Sequence, residues 1–179
     1  MAEIRPATVT DLPEMLEIYR PYVEKTAISF EYTLPTAAEF QTRFLEHTAQ
    51  FPWLVWEENG AILGYAYAGA PWERAAYRWC AESSVYLRED CRGRGIGRAL
   101  YEALETRLQV QGYRILYAVV TSDNVPSVAF HQALGFVPRA FYPDCGYKFG
   151  RWFGVTWLEK RLREPGSPAV FPKKWEDAQ

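Results

Sequence analysis

Arg92-Gly93-Arg94-Gly95-Ile96-Gly97-Arg98 stands between the apolar run Val85-Tyr86-Leu87 and an amphipathic segment that begins at Ala99. A strand running into a glycine- and arginine-rich turn that opens a helix suits a phosphate group. The first turn of a helix carries unpaired N–H groups and the positive end of the dipole, and glycine has no Cβ to hold an anion away from the backbone. A nucleotide-hydrolysing loop needs Gly-Lys followed by Ser or Thr, and here Gly97 is followed by Arg98-Ala99. A dinucleotide fingerprint meets Gly93 and Gly95 but finds Arg98 where its third glycine belongs. For the heptad alone, a solvated surface loop is the remaining reading.

Downstream of the turn, Leu100, Ala103, Leu104 and Leu108 recur at helical spacing and Gly112 supplies a stop. Ile115 to Val120 is a continuous apolar run of strand length, expected in the middle of the sheet and buried on both faces. Pro126 then opens a short helix, Ser127 to Leu134 continues it, and Gly135 ends it before strands at Phe136-Val137 and Trp152 to Leu158. Upstream, Glu82 to Leu87 is a strand, and Trp53 to Trp56 pairs with Ile62 to Tyr67 across Asn59-Gly60, which supplies the positive φ angles of a tight hairpin turn. Thr36 caps a helix reaching about Thr48, with Phe40, Phe44 and Leu45 as its apolar face. Near the N-terminus a short strand at Ile4 precedes a helix to about Val23, with Asp11 as cap and Glu14 in the capping-box position. This order describes an α/β (α+β) fold, a single mixed sheet with helices on both faces. Residues 1–163 read as one domain, and residues 164–179, with Pro165, Pro168 and Pro172, as an irregular extension.

The chain of 179 residues, 49% hydrophobic and 16% aromatic, has material for one full core. Its 20 Lys and Arg against 22 Asp and Glu leave a formal charge of −2 with no basic block, so no nucleic-acid partner is expected. No signal core begins the chain and no run approaches the ~20 apolar residues of a membrane span. The three cysteines, Cys80, Cys91 and Cys145, are odd in number and widely spaced, which argues for reduced thiols in cytoplasm and against a disulfide framework or a zinc site. No metal is expected.

Arg92-x-x-Gly95-x-Gly97, between strand and helix, resembles the acyl-coenzyme A signature of the GNAT N-acetyltransferases, Gln/Arg-x-x-Gly-x-Gly/Ala. Asn124-x-x-Ser127-x-x-Phe130-His131-x-x-x-Gly135-Phe136 resembles their second signature, Asn-x-x-Ala-x-x-Leu-Tyr-x-x-x-Gly-Phe, and follows at the expected distance. Tyr65 to Gly69, Ala81 to Leu87, Pro126-Ser127 and Gly146-Tyr147-Lys148-x-Gly150-x-Trp152 look like the phosphinothricin and methionine-sulfoximine acetyltransferase subfamily. Gly154 departs from it, standing where that subfamily often carries Asp or His.

The resemblance implies the GNAT fold, a mostly antiparallel sheet, and acetyl-CoA as co-substrate. Main-chain groups of Val85, Tyr86 and Leu87 would pair with the pantetheine arm, an N–H near Leu87 would meet the oxyanion, and the backbone from Arg92 through Gly97 would hold the pyrophosphate. Arg92, Arg94 and Arg98 would add charge suited to phosphate, at least one of them being simply solvated surface. The resemblance also carries Asn124 and Ser127 to the cofactor, and Asn124 equally suits a helix cap.

Transfer to an amine requires its neutral form, so a base is needed. The resemblance makes it Glu82, for which a salt bridge to Arg74 or Arg78 is the competing use. His131 stands where many members carry the tyrosine that protonates the departing thiolate, and either that role or a structural one fits an imidazole. His47 reads as surface and receives no role. Phe30 and Tyr77 are candidates to pack an acceptor side chain, and Arg74 or Arg78 to anchor its carboxylate. The resemblance makes the expected acceptor the α-amine of a small amino acid analogue such as phosphinothricin, methionine sulfoximine or methionine sulfone. The rival readings are a protein N-terminus, polyamine or aminoglycoside as acceptor, or acyl-CoA binding without catalysis. The aromatic excess favours a homodimer.

Overall fold

The structure, a computed structural model, describes residues 1–164, 166 and 170–178. Along the chain run β1 (Ala2–Pro6), α1 (Leu12–Glu24), α2 (Ala37–Thr48), β2 (Trp53–Glu58), β3 (Ala61–Gly69), β4 (Cys80–Leu87), α3 (Ile96–Gln111), β5 (Ile115–Thr121), α4 (Val125–Ala133), β6 (Val137–Lys148) and β7 (Arg151–Arg161). The strands form one seven-stranded sheet in the order β1-β2-β3-β4-β5-β7-β6. Every neighbouring pair is antiparallel except β4 and β5. That exception follows from connectivity: β4 and β5 are joined through α3, and a crossover helix returns the chain parallel.

Alternation along the strands splits the core into two layers. On one face Leu54, Leu63, Ala66 and Ala81 pack with Leu100, Leu104 and Leu108 of α3. On the other, Val55, Ile62 and Tyr65 meet Met15 and Ile18 of α1 and Phe40 and Phe44 of α2. The Asn59-Gly60 turn joins β2 and β3 with φ of 53° and 80°. Thr36 and Glu39 form a reciprocal cap on α2, the Thr36 N–H donating to Oε2 at 2.8 Å.

Several expectations are corrected. Asp11 precedes α1 without capping it by its side chain; its carboxylate instead accepts from the Thr8 N–H at 2.7 Å and pairs with Arg5 at 2.8 Å. Leu45 is exposed, because the buried stripe of α2 narrows to Phe40 and Phe44. His47 is half-buried on the surface helix α2 and not merely solvated: its ring packs 5.3 Å from Tyr67 and 5.7 Å from Trp53, and Nδ1 lies 3.0 Å from the Ala68 carbonyl. β5 is interior to the sheet but buried on one face only, since Leu116, Ala118 and Val120 lie under the α3 layer while Val119 is exposed. Among the described residues no α-helix covers that second face, as α1 and α2 stop at the β1–β4 half. Finally, β6 extends through the polar and proline-bearing stretch to Lys148 instead of ending near Val137.

Within the C-terminal extension, Trp175 is buried in the α3 layer and the Lys173 N–H donates to the Gln111 carbonyl at 2.8 Å. Pro165 and Pro168 lie outside the described residues.

Candidate active site

β4 and β5 are paired only through Cys80–Ile115, Ala81–Leu116 and Glu82–Tyr117. Beyond that rung β4 stays with β3 as far as Leu87, while β5 stays with β7 as far as Thr121. The strands therefore fork, and the β5-facing edge of residues 83–87 has no strand partner among the described residues. A cleft of about 560 Å³ occupies the fork. Ser83, Val85, Tyr101 and His131 line it from the α3 side, and Ser84, Tyr86, Val119 and Tyr22 from the other. An extended ligand bearing amides can thus lie along Val85 and Tyr86 as a substitute strand, whereas the main-chain groups of Leu87, also expected to pair with it, are taken by the Tyr22 hydroxyl.

The glycine turn closes one end. Gly93 and Gly95 have φ of 78° and 80°, where a side chain is strained even though open space surrounds both Cα atoms. Gly95 is the N-cap of α3 and offers no side chain to its first N–H groups, which stay available to an anion. Asn124, the N-cap of α4, likewise makes no side-chain cap bond, and with Ser127 it lines the same cleft. Arg92, Gly93, Gly95, Ile96, Gly97 and Arg98 all line it too. Arg92 lies over the Tyr22 ring at 5.8 Å. Arg94 is held elsewhere, donating to Glu58 at 2.6 Å, and is absent from the lining. These features fit a pyrophosphate at the helix starts and a pantetheine arm in the fork.

His131 is 3% exposed, and both ring nitrogens are engaged. Nδ1 lies 2.7 Å from the Ser127 carbonyl, which can only accept, so Nδ1 carries the proton. Nε2 then accepts from the Tyr101 hydroxyl at 2.6 Å, and Tyr101 Oη lies 3.0 Å from Ser83 Oγ. Burial pushes the His131 pKa down, favouring the neutral ring that this pattern needs. The same burial pushes the Tyr101 hydroxyl up, keeping it protonated.

Glu82 sits on the face opposite Ala81 and the α3 layer, beside Tyr117. It is partly buried, and desolvation raises its pKa, with no cation paired to it among the described residues. Neither Arg74 nor Arg78 pairs with it among the described residues. Glu82 does not itself line the fork cleft, whereas Ser83 and Ser84 do. Over this face Trp72 packs on Tyr117 at 5.3 Å and on Trp157 at 5.7 Å, and Tyr77 packs on Trp72 at 4.8 Å. Arg74 is exposed at the start of the short turn Ala75–Tyr77. Arg78 lies over Phe171 of the C-terminal extension at 5.1 Å. Phe30 packs 6.3 Å from Phe153 and lies over Gly146, where any Cβ would strike its ring. At Gly154 the Phe141 ring fills the space of a side chain, 2.6 Å from an ideal Cβ, so Asp or His there would require Phe141 to move.

Tyr22, Ser83 and Tyr101 are site residues that sequence reasoning passed over. The Tyr22 hydroxyl donates to the Leu87 carbonyl at 2.7 Å and accepts from the Leu87 N–H at 3.2 Å, so that N–H already has a partner. The available signal was a tyrosine in the apolar stripe of a helix, since a buried phenol requires a polar partner.

A forked parallel pair, a glycine turn at one helix start and a second open helix start beside it define an acyl-CoA-dependent acetyltransferase. Residues 4–157 match the acetyltransferase (GNAT) domain family, and the chain belongs to that family as an N-acetyltransferase using acetyl-CoA. It is 36% identical over 167 residues to the phosphinothricin N-acetyltransferase of Streptomyces viridochromogenes, covering 93% of this chain and 91% of that one. It is 38% identical over 165 residues to the L-methionine sulfoximine/L-methionine sulfone acetyltransferase of Pseudomonas paraeruginosa, covering 90% and 95%. The crystal structure of a GNAT phosphinothricin acetyltransferase from Sinorhizobium meliloti with acetyl-CoA superimposes with a TM-score of 0.89 at 35% identity, covering 97% of this chain and 98% of that one.

Proposed function

We propose that this chain transfers the acetyl group of acetyl-CoA directly to the α-amine of a small amino acid analogue such as phosphinothricin, methionine sulfoximine or methionine sulfone. The observation that carries this reading is the position of Glu82 at the last rung before the fork, on the face away from α3, with its pKa raised by burial. The relatives' printed substrates agree with it. The thioester reaches through the fork and the amine approaches from the open face beneath Trp72 and Phe30. Glu82, directly or through a water, takes a proton from the ammonium; the amine nitrogen attacks the thioester carbon, and the C–S bond breaks. The thiolate leaves with its electron pair and takes up the second proton shed by the attacking nitrogen, directly or through a water, which leaves a neutral amide on the acceptor. The buried His131–Tyr101 pair borders the cleft and supports its wall; with its proton on Nδ1 and Nε2 accepting from Tyr101, His131 has no proton at Nε2 to give the thiolate, and the donor role would require a proton there first.

Direct transfer fits the thiols: none of Cys80, Cys91 and Cys145 lines the cleft, and burial raises the Cys80 and Cys91 pKa values. Phe30 and Tyr77 bound the acceptor side chain, and Arg74 offers its carboxylate a guanidinium. Arg78 serves there only by leaving Phe171. A polyamine, aminoglycoside or protein N-terminus is the rival acceptor, and a cationic loop bearing Arg74 and Arg78 disfavours the polycations. Residues 1–163 constitute the acetyltransferase domain, and 164–179 an extension. We propose a cytoplasmic homodimer, supported by free thiols and by exposed Phe141, Tyr142, Tyr147, Phe149 and Trp152 on β6, β7 and their turn. Sedimentation at micromolar concentration tests the dimer. Thiol release with a panel of amino acids, polyamines and peptides tests the acceptor: saturable release with methionine sulfoximine or phosphinothricin supports the reading, and release with polycations alone overturns it.

A further inference from the structure

Lys148 ends β6 with its ammonium buried, the residue being 2% exposed, and no carboxylate pairs with it among the described residues. Its Nζ donates to three main-chain carbonyls, those of Val23 at 2.7 Å, Thr26 at 2.8 Å and Ser29 at 2.7 Å. An ammonium has three N–H donors, so its capacity is filled by this one segment. Val23 belongs to the last turn of α1, where carbonyls lack helical partners and the dipole is negative, so a cation is favoured there. Thr26 and Ser29 lie in the irregular loop that follows and that carries Phe30.

The same loop is attached to the hairpin of β6 and β7 at further points. The Tyr32 hydroxyl donates to the Tyr147 carbonyl and Phe30 packs on Gly146 and Phe153, while the Ser29 hydroxyl ties the loop to Tyr19 of α1 at 2.7 Å. Glu31 is paired with Arg43 of α2. Lys148 is the only one of these anchors that gathers three separate carbonyls. Burying a cation is costly unless its donors are all paired, so the site holds a charge for what it organises.

We infer that Lys148 is a positioning residue for the acceptor: it fixes the loop of residues 25–32 against the hairpin, and so sets Phe30 where the amino acid side chain must pack. The inference rests on the acceptor approaching beneath Phe30, as proposed above. It requires no contact between Lys148 and the acceptor or acetyl-CoA, and Lys148 is absent from the cleft lining.

The test uses Lys148→Met, Lys148→Gln and Lys148→Arg in the full chain, compared with wild type by steady-state kinetics with methionine sulfoximine and by amide hydrogen exchange. For Lys148→Met the expected result is faster exchange confined to residues 25–32, an acceptor KM raised by roughly tenfold or more as charge-assisted bonds are lost, and an acetyl-CoA KM within about twofold of wild type. Lys148→Gln, which retains two N–H donors, falls between Met and wild type, and judges the proposal if Lys148→Met does not fold. Lys148→Arg, retaining the charge, restores the acceptor KM further than Gln. Unchanged exchange in a folded Met or Gln variant overturns the clamp. Faster loop exchange with an unchanged acceptor KM, or equal rises in both KM values, overturns its role in acceptor positioning. Wild-type enzyme that turns over no amino acid overturns the proposed acceptor instead, and loop exchange still decides for or against the clamp.

Discussion

Glu82 of β4 lies beside Tyr117 of β5 on the last rung that joins the two strands. One pair of residues thus ends the ladder and marks the threshold of the fork, with the carboxylate on the face opposite the α3 layer. On the reading proposed above, a thioester delivered along β4 and an amine approaching the open face meet near this rung.

Glu82 has a raised pKa because burial penalises its charge. Its carboxylate becomes available as a base above the ordinary carboxylate range of about 4.3, so kcat rises with pH through a limb displaced upward from that value. The same shift means that the folded chain binds this proton more tightly than the unfolded chain. Stability associated with neutral Glu82 is therefore present at low pH and lost as pH rises through the folded pKa. Glu82→Gln should raise the thermal midpoint at pH 8 relative to wild type, with the difference shrinking at pH 4. A kcat profile whose acid limb lies at or below the ordinary range contradicts this environment for Glu82.

The arginines of the turn separate by their contacts. Arg92 and Arg98 line the cleft, whereas Arg94 is paired with Glu58. Arg92→Ala and Arg98→Ala should each raise the KM for acetyl-CoA more than Arg94→Ala does, with acceptor KM little changed. A larger effect at Arg94 would show that its pairing with Glu58 gives way to the cofactor.

At Gly95 the demand is conformational. Its φ of 80° lies in the left-handed region, and an alanine there should cost about 1–2 kcal/mol with space to spare around the added methyl. Denaturant midpoints check the stability loss, and isothermal titration with coenzyme A should show weakened binding as the start of α3 shifts.

Removing the Tyr101 hydroxyl leaves His131 Nε2 and Ser83 Oγ without that partner in a buried setting. Tyr101→Phe should destabilise the chain by about 1–3 kcal/mol, measurable by urea unfolding. His131 has a depressed folded pKa, so its contribution is present above the unfolded value of about 6.5 and is lost as pH falls below it. The wild type should weaken across this window faster than His131→Gln.

Much of the fold was legible because the deciding signals were local. Asn59-Gly60 fixes its hairpin by the φ angles it tolerates, Thr36 and Glu39 cap α2 by themselves, and the glycine turn reads as a helix start entered from a strand. Long-range competition was hidden. Asp11 could not be seen to prefer Arg5 and Thr8 over α1, nor His47 to find the gap over Gly69 that Trp53 and Tyr67 enclose. β5 read as doubly buried because its apolar run cannot say that α1 and α2 end before they reach it. In the site, the turn and Asn124 to His131 were legible through their resemblance to the two family signatures, while Tyr22, Tyr101 and the carbonyl cage around Lys148 depend on partners 18 to 125 residues away.

The central claim is that Glu82 at the fork is the base for acetyl transfer, and steady-state kinetics of Glu82→Gln with both substrates varied tests it most directly. General-base catalysis contributes about 10² to 10⁴ in rate. The account predicts a kcat reduced on that scale, a KM for acetyl-CoA within about twofold of wild type, and a folded chain of equal or greater stability. A kcat close to wild type, or a loss confined to acetyl-CoA affinity, would contradict it.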